Sequence, residues 1–445
     1  MDNHSIFNMV DVNPQAIELN ETIKENNNTV YELLSGRGKA IFFPKKGILA
    51  QAADAKGKEI NATIGIALEE DLTPMRLKPL AKLTKKLDPK DIFPYAPSFG
   101  KPELREKWKQ MILQKNPSIK NEISLPVVTN ALTHGLSIVS YLFLNNEESI
   151  ILPDKFWGNY KLIFTNTYGA QLDTFNMFKD GLFDLESFQN KLNENQNTKK
   201  VILLNFPNNP TGYTIINEEA EKITELIKQQ AEKGDKIAVI IDDAYFGLVY
   251  KDDVYKESIF SKLSNLHENV LAIKVDGSTK EDYVWGFRVG FLTFGIKNGT
   301  KELYQALENK TAGAIRGTIS NSPNISQSLL LKAFEAKNYQ KEKEKKYNLL
   351  KARYEEVRNI LRDEKYGKFF KPLPFNSGYF MCIELKDLDA EQVRQILLNK
   401  YSTGIIAMGN LIRIAFSSIN KKSIQKLFDN IYNACSEIKG ESNGK

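Results

Sequence analysis

Lys280 stands directly behind Ser278 and Thr279 at the end of a β-branched run, VLAIKVD (270–276), and Arg288 follows in a glycine-flanked apolar segment. A lysine in a polar turn is ordinarily a solvated cation. At a buried strand end it becomes a candidate nucleophile, because desolvation favours the neutral amine. An arginine among apolar residues is a fork for phosphate or carboxylate. Other reactive residue types sit at similar places upstream. Asp242, in Asp242-Asp243-Ala244-Tyr245, follows the run KIAVII, where an acid is costly unless paired. Asn209 follows KVILLNF within PNNPTGYT, a stretch that equally suits a plain turn. Asn130-Ala131-Leu132-Thr133-His134-Gly135 follows LPVVT and opens a helix. Free N–H groups there suit an anion, or the residues simply cap the helix. Trp157, after SIILP, is either core or a platform for a flat ring.

The elements that must hold these residues follow from the patterning. Short apolar runs alternate with helical stretches: LPVVT (125–129), SIILP (149–153), KVILLNF (200–206), KIAVIIDD (236–243), VLAIKVD (270–276) and VGFLTF (289–294). THGLSIVSYLFL and EEAEKITELIKQQAEKG are amphipathic candidates between them. Near-continuous apolar strands separated by helices predict a mostly parallel sheet covered on both faces. Ligands of such α/β sheets bind beyond the carboxyl ends of the strands. GKPELREKWKQMILQK (100–115) reads as a helix with Leu104, Trp108, Met111 and Ile112 on one face. ELNETIKENNNTVYELLSG reads as a helix ending near Gly36. Beyond residue 335 come a highly charged helix, the strands GYFMCIEL (378–385) and LIRIAF (411–416), and helices near AEQVRQILLNKY and KKSIQKLFDNIYNAC. The expected organisation is an N-terminal segment, 1–95, contributing to a small α+β domain, a large α/β domain, 96–334, and the C-terminal part of the small domain, 335–445. The tail KGESNGK is expected to be disordered.

Composition narrows the function classes. The 445 residues are 42% hydrophobic and 26% charged, with a net charge of +6 and no polybasic arm, which argues against a nucleic-acid partner. Two cysteines without metal-type spacing fit a reducing compartment and a cytoplasmic protein. There is no signal-peptide pattern and no apolar run of membrane-spanning length, so no membrane partner is expected. His4, His134 and His267 do not cluster, which leaves little material for a His-based metal site or a Ser-His-Asp triad.

Taken in order along the strand ends, the residues form a set with one chemical meaning. A helix start at Ala131, Leu132 and Thr133, the hydroxyls of Ser278 and Thr279, and Arg288 hold a phosphate. Trp157 covers a flat ring. Asp242 keeps a ring nitrogen protonated, and Asn209 and Tyr245 hydrogen-bond a ring hydroxyl. Lys280 forms a Schiff base. This is how a protein holds pyridoxal 5′-phosphate as an electron sink. At these residues the chain resembles the class I/II aminotransferases of fold type I, those built like aspartate aminotransferase, from about Asn61 to Ser417. NNPTG, DDAY and the Lys280/Arg288 pair carry the resemblance most specifically, and FWGNYKLIF looks like the family's Trp-x-Asn loop. The resemblance implies a transaminase of amino-acid metabolism that moves an amino group between an L-amino acid and a 2-oxo acid. It also implies a homodimer with shared active sites, Tyr95 reaching the phosphate of the other subunit, Arg413 on the substrate α-carboxylate, and Gly65 giving the substrate room. AIRGTISNSP resembles the stretch whose arginine, here Arg316, crosses the dimer to a distal carboxylate, which would favour a dicarboxylic substrate such as aspartate or glutamate.

The sequence departs from the family at three places. Gly277 stands where many relatives have a phosphate-binding serine, Tyr160 where aspartate aminotransferases have a histidine, and Glu281-Asp282-Tyr283 is more acidic and bulkier than usual. His134 touches the cofactor or caps its helix. The alternative activity is a pyridoxal-phosphate-dependent lyase or decarboxylase acting on an amino acid. A ligand-sensing regulator lacks a basic helix-turn-helix before Gly65, and a dinucleotide enzyme lacks a G-x-G-x-x-G after the early strands.

Overall fold

The computed structural model describes residues 13–26, 31, 34, 39, 48–83, 87–194 and 198–440. Its centre is a seven-stranded sheet of β1 (Val127–Thr129), β2 (Ser149–Pro153), β3 (Gln171–Phe175), β4 (Lys199–Asn205), β5 (Lys236–Asp242), β6 (Val270–Asp276) and β7 (Gly290–Gly295), in the order β1-β7-β6-β5-β4-β2-β3. All neighbours are parallel except β7, which runs antiparallel to both β1 and β6. Apart from their first residues, β4 to β7 are nearly all buried, as expected for strands covered on both faces. Each fully buried aliphatic or phenyl side chain there contributes about 1.5–3 kcal/mol of transfer free energy. The edge strand β3, QLDTF, alternates poorly and is half exposed, so its sequence carries no strand signal.

Helices cover the sheet. Pro102–Lys115 begins with proline at its first position, where the missing N–H costs nothing. It buries Leu104, Trp108 and Ile112, as its periodicity predicts. Trp108 stacks on Phe291 of β7 at 4.2 Å, and its indole N–H donates to Asp276 Oδ1 at the end of β6 at 3.0 Å. Ala131–Phe143 and Asn217–Glu232 lie where the amphipathic stretches predict helices. The helices Lys301–Thr318 and Asn324–Phe334 complete this part of the chain.

The two ends of the chain meet in a smaller α+β unit. A four-stranded antiparallel sheet, β8 (Phe370–Pro372), β9 (Met381–Leu385), β10 (Ile406–Met408) and β11 (Leu411–Ile414), has the order β8-β9-β11-β10. It is accompanied by the helices Tyr339–Ile360, Ala390–Lys400 and Ile424–Ile438. From the N-terminal side, Ile60–Asn61 pairs parallel with Thr403–Gly404. Gln51 donates to Ala407 O at 3.0 Å and accepts from Ala407 N–H at 2.6 Å. Of the early helix predicted over 18–36, residues 18–26 belong to the helix Pro14–Asn26; Gly36, most of 27–35 and the tail 441–445 lie outside the described residues. No helix among the described residues is long and apolar enough to cross a membrane.

Candidate active site

The carboxyl ends of β4, β5 and β6 converge on a cavity of about 450 Å³. β5 delivers Asp242 as its last residue, and β4 and β6 deliver Asn209 and Lys280 a few residues past their ends. Asn205, the last residue of β4, sits in register with Asp242, the last of β5. Its amide donates to Asp242 O at 2.7 Å and its Oδ1 accepts from the Asn209 N–H at 2.8 Å. This side chain therefore fixes the PNNPTG turn against the neighbouring strand and sets Asn209 at the cavity wall. Asn205 escaped the sequence reading because it lies inside the apolar run KVILLNF.

Asp242 is buried beside that wall. Its Oδ2 accepts from the Tyr160 hydroxyl at 2.5 Å and its Oδ1 from the Ala244 N–H at 3.1 Å. Burial raises its pKa to about 6, against the lowering effect of these two donors. Tyr160, noted in the sequence only as a departure, is thus the direct partner of this acid. It precedes a π-helical turn, Lys161–Thr167, in the segment read as a loop, and Trp157 on that segment is half-buried at the cavity.

Lys280 rides on a single helical turn, Ser278–Glu281, after β6. Its Nζ donates to Gly65 O at 3.2 Å and lies 5.3 Å from the centre of the Tyr245 ring. Burial, with Arg288 and Arg413 nearby, lowers its pKa to about 8 although Asp242 pulls the other way. The amine is therefore substantially neutral in mildly basic water, where an exposed lysine is not. Tyr245 is itself buried, which pushes its hydroxyl up from the ordinary range.

The opposite chemistry, anion binding, gathers at the start of the helix Ala131–Phe143. Ala131 holds a left-handed backbone, φ 63°, which a residue with a side chain adopts only when its surroundings impose it. Gly290 of β7 packs against it, since a Cβ there would lie 2.7 Å from Ala131 C. Ala131, Leu132, Thr133, Thr279 and Arg288 all line the cavity. The Thr279 and Ser278 hydroxyls are buried without a hydrogen-bond partner. Thr279 faces the cavity, whereas Ser278 is fully buried and does not line it. His134 accepts the Asn130 N–H on Nδ1 at 3.1 Å, and its Nε2 lies 3.2 Å from Thr318 Oγ1. It ties down the helix start, as the cap reading requires.

Arg413 comes from β11 of the smaller unit and is 3% exposed. It donates to Asn209 Oδ1 and Thr63 O, both at 3.2 Å, and stacks 4.3 Å from the Phe380 ring centre, while its Nε has no partner. Gly65 lines the same cavity, and a Cβ there would meet the Phe380 ring at 3.7 Å. Two expected residues stand elsewhere. Tyr95 is 91% exposed and Arg316 is exposed, with Nη1 on Ser320 Oγ at 3.2 Å; neither lines the cavity of this chain.

A covered, mostly parallel sheet with a buried lysine after one strand and a buried acid after its neighbour is the architecture of the fold-type I pyridoxal-phosphate enzymes. The chain belongs to the aminotransferase class I and II family, whose model matches residues 63–431; the family depends on pyridoxal phosphate. A probable aspartate/prephenate aminotransferase of Aquifex aeolicus is 29% identical over 199 residues, which span 44% of this chain and 48% of that protein. This chain thus matches about half the length of that relative. A crystal structure of an aminotransferase from Anaerococcus prevotii superposes with a TM-score of 0.80 at 24% identity, over 91% of this chain and 99% of that one. A kynurenine aminotransferase of Pyrococcus horikoshii, solved with pyridoxamine phosphate, gives 0.75 at 16% identity over 92% and 98%.

Proposed function

We propose that the protein is a pyridoxal-phosphate-dependent aminotransferase, exchanging an amino group between an L-amino acid and a 2-oxo acid. The observation that carries this is the pairing state of the cavity: Lys280, Arg288 and Arg413 all line it, and among the described residues none has a carboxylate within ion-pair distance. Buried cations without anions are costly, so such a cavity is completed by anionic ligands.

The residues present fit the cofactor. The partnerless Thr279 hydroxyl, Arg288 and the helix start at Ala131, Leu132 and Thr133 suit its phosphate, with Tyr95 supplied by a second subunit of a homodimer; Ser278, fully buried off the cavity, is not among them. Trp157 suits the ring face, Asp242 the ring nitrogen, and Asn209 with Tyr245 the ring hydroxyl. When bound, pyridoxal phosphate supplies an electron sink for the pair left at the substrate Cα. Arg413 binds the substrate α-carboxylate and so orients the Cα–H bond. Lys280 Nζ, whose pKa burial and the nearby arginines hold near 8, would take the Cα proton as general base in its neutral form and, in the reverse half-reaction, give a proton back to Cα. Asp242 stays ionised above its pKa of about 6 and accepts from Tyr160 throughout. Gly65 leaves space where a side chain would crowd the substrate.

The favoured donor is dicarboxylic, aspartate or glutamate, in keeping with the name of the Aquifex relative. In that reading Arg316 of a second subunit takes the distal carboxylate. A second reading, an apolar or aromatic donor, is favoured by the walls: Ala52, Ile64, Trp157 and Phe380 line the cavity, and every cation of this chain that does so already has a role. Initial rates against both substrates test the activity. Parallel double-reciprocal lines are the expected ping-pong pattern. Sustained release of pyruvate, ammonia or carbon dioxide without any 2-oxo acid would instead show a lyase or decarboxylase.

A further inference from the structure

A four-residue helix is too short to hold its own shape in water, yet the Ser278–Glu281 turn must aim Lys280. The residues that follow Lys280 explain how. Glu281 and Asp282 are 7% and 0% exposed and point away from the cavity, which neither lines. Glu281 is ion-paired by Lys115, the last residue of the helix Pro102–Lys115, and by Lys343 at 2.9 Å. Lys343 lies in the first turns of the helix Tyr339–Ile360 and also meets Asp282 Oδ1 at 3.1 Å. The Tyr339 hydroxyl donates to that same oxygen at 2.5 Å. The turn is thus clamped by two helices far apart in sequence.

A third contact reaches the acid side of the site. Gly247 follows Asp242-Asp243-Ala244-Tyr245-Phe246 and has a left-handed φ of 91°. A Cβ built there would lie 2.3 Å from Glu281 Oε1 and 2.8 Å from its Cδ. The carboxylate therefore packs against the backbone at Gly247, two residues past Tyr245, in space that only a glycine leaves open. One side chain braces the lysine turn against the segment that carries Asp242 and Tyr245. From above, the Tyr379 hydroxyl donates to Lys280 O at 2.7 Å.

We propose that Glu281, held by Lys115 and Lys343, is a positioning residue for Lys280: it fixes the direction of the amine relative to Asp242 and Tyr245 without touching substrate or cofactor. The inference rests on the reading of Lys280 as the reactive lysine. Glu281→Gln keeps the shape and an acceptor oxygen but removes the charge that two lysines grip. Lys343→Gln removes one of the two grips and serves if Glu281→Gln fails to fold. Lys200→Met, which breaks the buried Lys200–Asp235 contact of 3.3 Å away from the cavity, is the control for lost stability alone.

Two readouts separate aim from stability. One is the rate at which the visible band grows when pyridoxal phosphate is added to the cofactor-free protein; the other is kcat against KM. Both the capture rate and kcat are expected to fall about tenfold or more in Glu281→Gln, and less in Lys343→Gln, with KM for the amino acid within about twofold, because misplacing a reacting group lowers the rate and spares binding. Glu281→Asp, which restores the charge on a shorter stem, should recover part of the loss. Lys200→Met should leave both rates unchanged. A Glu281→Gln protein that captures cofactor and turns over like wild type overturns the proposal, as does a loss matched by Lys200→Met. A wild-type protein that captures no cofactor overturns instead the underlying reading of Lys280.

Discussion

Two sets of buried or half-buried cations lie close together in this molecule, and they differ in what they face. Lys280, Arg288 and Arg413 line the cavity with no carboxylate partner among the described residues. Lys115, Lys274 and Lys343 lie behind the strand ends and are each ion-paired: Lys115 with Glu281, Lys274 with Asp243 and with Asp276 at 3.5 Å, and Lys343 with Glu281 and Asp282. Phe246 is flanked by two of the second set, with Lys274 at 4.5 Å and Lys115 at 5.3 Å from its ring centre. The same chemistry is thus used in two ways. Satisfied charges hold the scaffold; unsatisfied ones are left for ligands to complete. The unpartnered Thr279 hydroxyl belongs with the open set, whereas the Ser258 hydroxyl, on Asp243 at 2.5 Å, belongs with the closed one.

Breaking the two sets should therefore have opposite consequences. Lys280→Ala should lower kcat by roughly a thousandfold or more, since it removes the proposed general base, while the melting temperature of the cofactor-free protein stays put. Lys274→Met should do the reverse to the scaffold. It strands Asp243 and Asp276 in a site where Lys274 is 0% exposed, at a cost of about 3–5 kcal/mol in stability, read by chemical unfolding. Arg413→Met should raise KM for the amino acid about a hundredfold, the loss of a charge-assisted fork. It should leave the unliganded protein about as stable as wild type, because a buried cation without a carboxylate partner has been removed along with its bonds to Asn209 Oδ1 and Thr63 O.

Smaller effects sharpen the contrast. Cofactor capture by the empty protein should rise with pH and level off above about 8, because the Lys280 amine is neutral only above its lowered pKa. A lysine with the ordinary value of 10.5 would still be gaining rate at pH 10. Arg316→Ala should raise KM for aspartate or glutamate about tenfold and leave an aromatic donor unaffected, the size expected for one lost carboxylate contact near a subunit boundary. An equal effect on both donors would remove Arg316 from substrate recognition.

Much of the open set was legible in the sequence, for a physical reason. Residues at or just beyond the ends of parallel strands lie beside apolar runs, so Asn209, Asp242 and Lys280 are marked by their neighbours, as Arg288 is by the apolar run of β7 that follows it. The strands 149–153 and 270–276 match their apolar runs residue for residue. The closed set was not legible. Glu281-Asp282 stood out as unusually acidic, but their partners Lys115 and Lys343 are separated from them by long stretches of chain and look like any others among 61 basic residues. Asn205 and Tyr160 act through hydrogen bonds to Asp242, far away in sequence, which no local pattern reports. Strand β3 was missed because an edge strand with one wet side lacks a buried run. Tyr95 and Arg316 do not line this chain's cavity, and the roles proposed for them require a second subunit.

The most direct test of the open cavity is a single half-reaction. The cofactor-loaded protein is mixed with one L-amino acid at a time, without any 2-oxo acid, and its visible spectrum is followed. Loss of the yellow band with one equivalent of 2-oxo acid formed per site, reversed by adding a 2-oxo acid, is the expected result, and the responding amino acid names the donor. A protein that takes up no pyridoxal phosphate, or that keeps its yellow band while releasing pyruvate, ammonia or carbon dioxide, would contradict it.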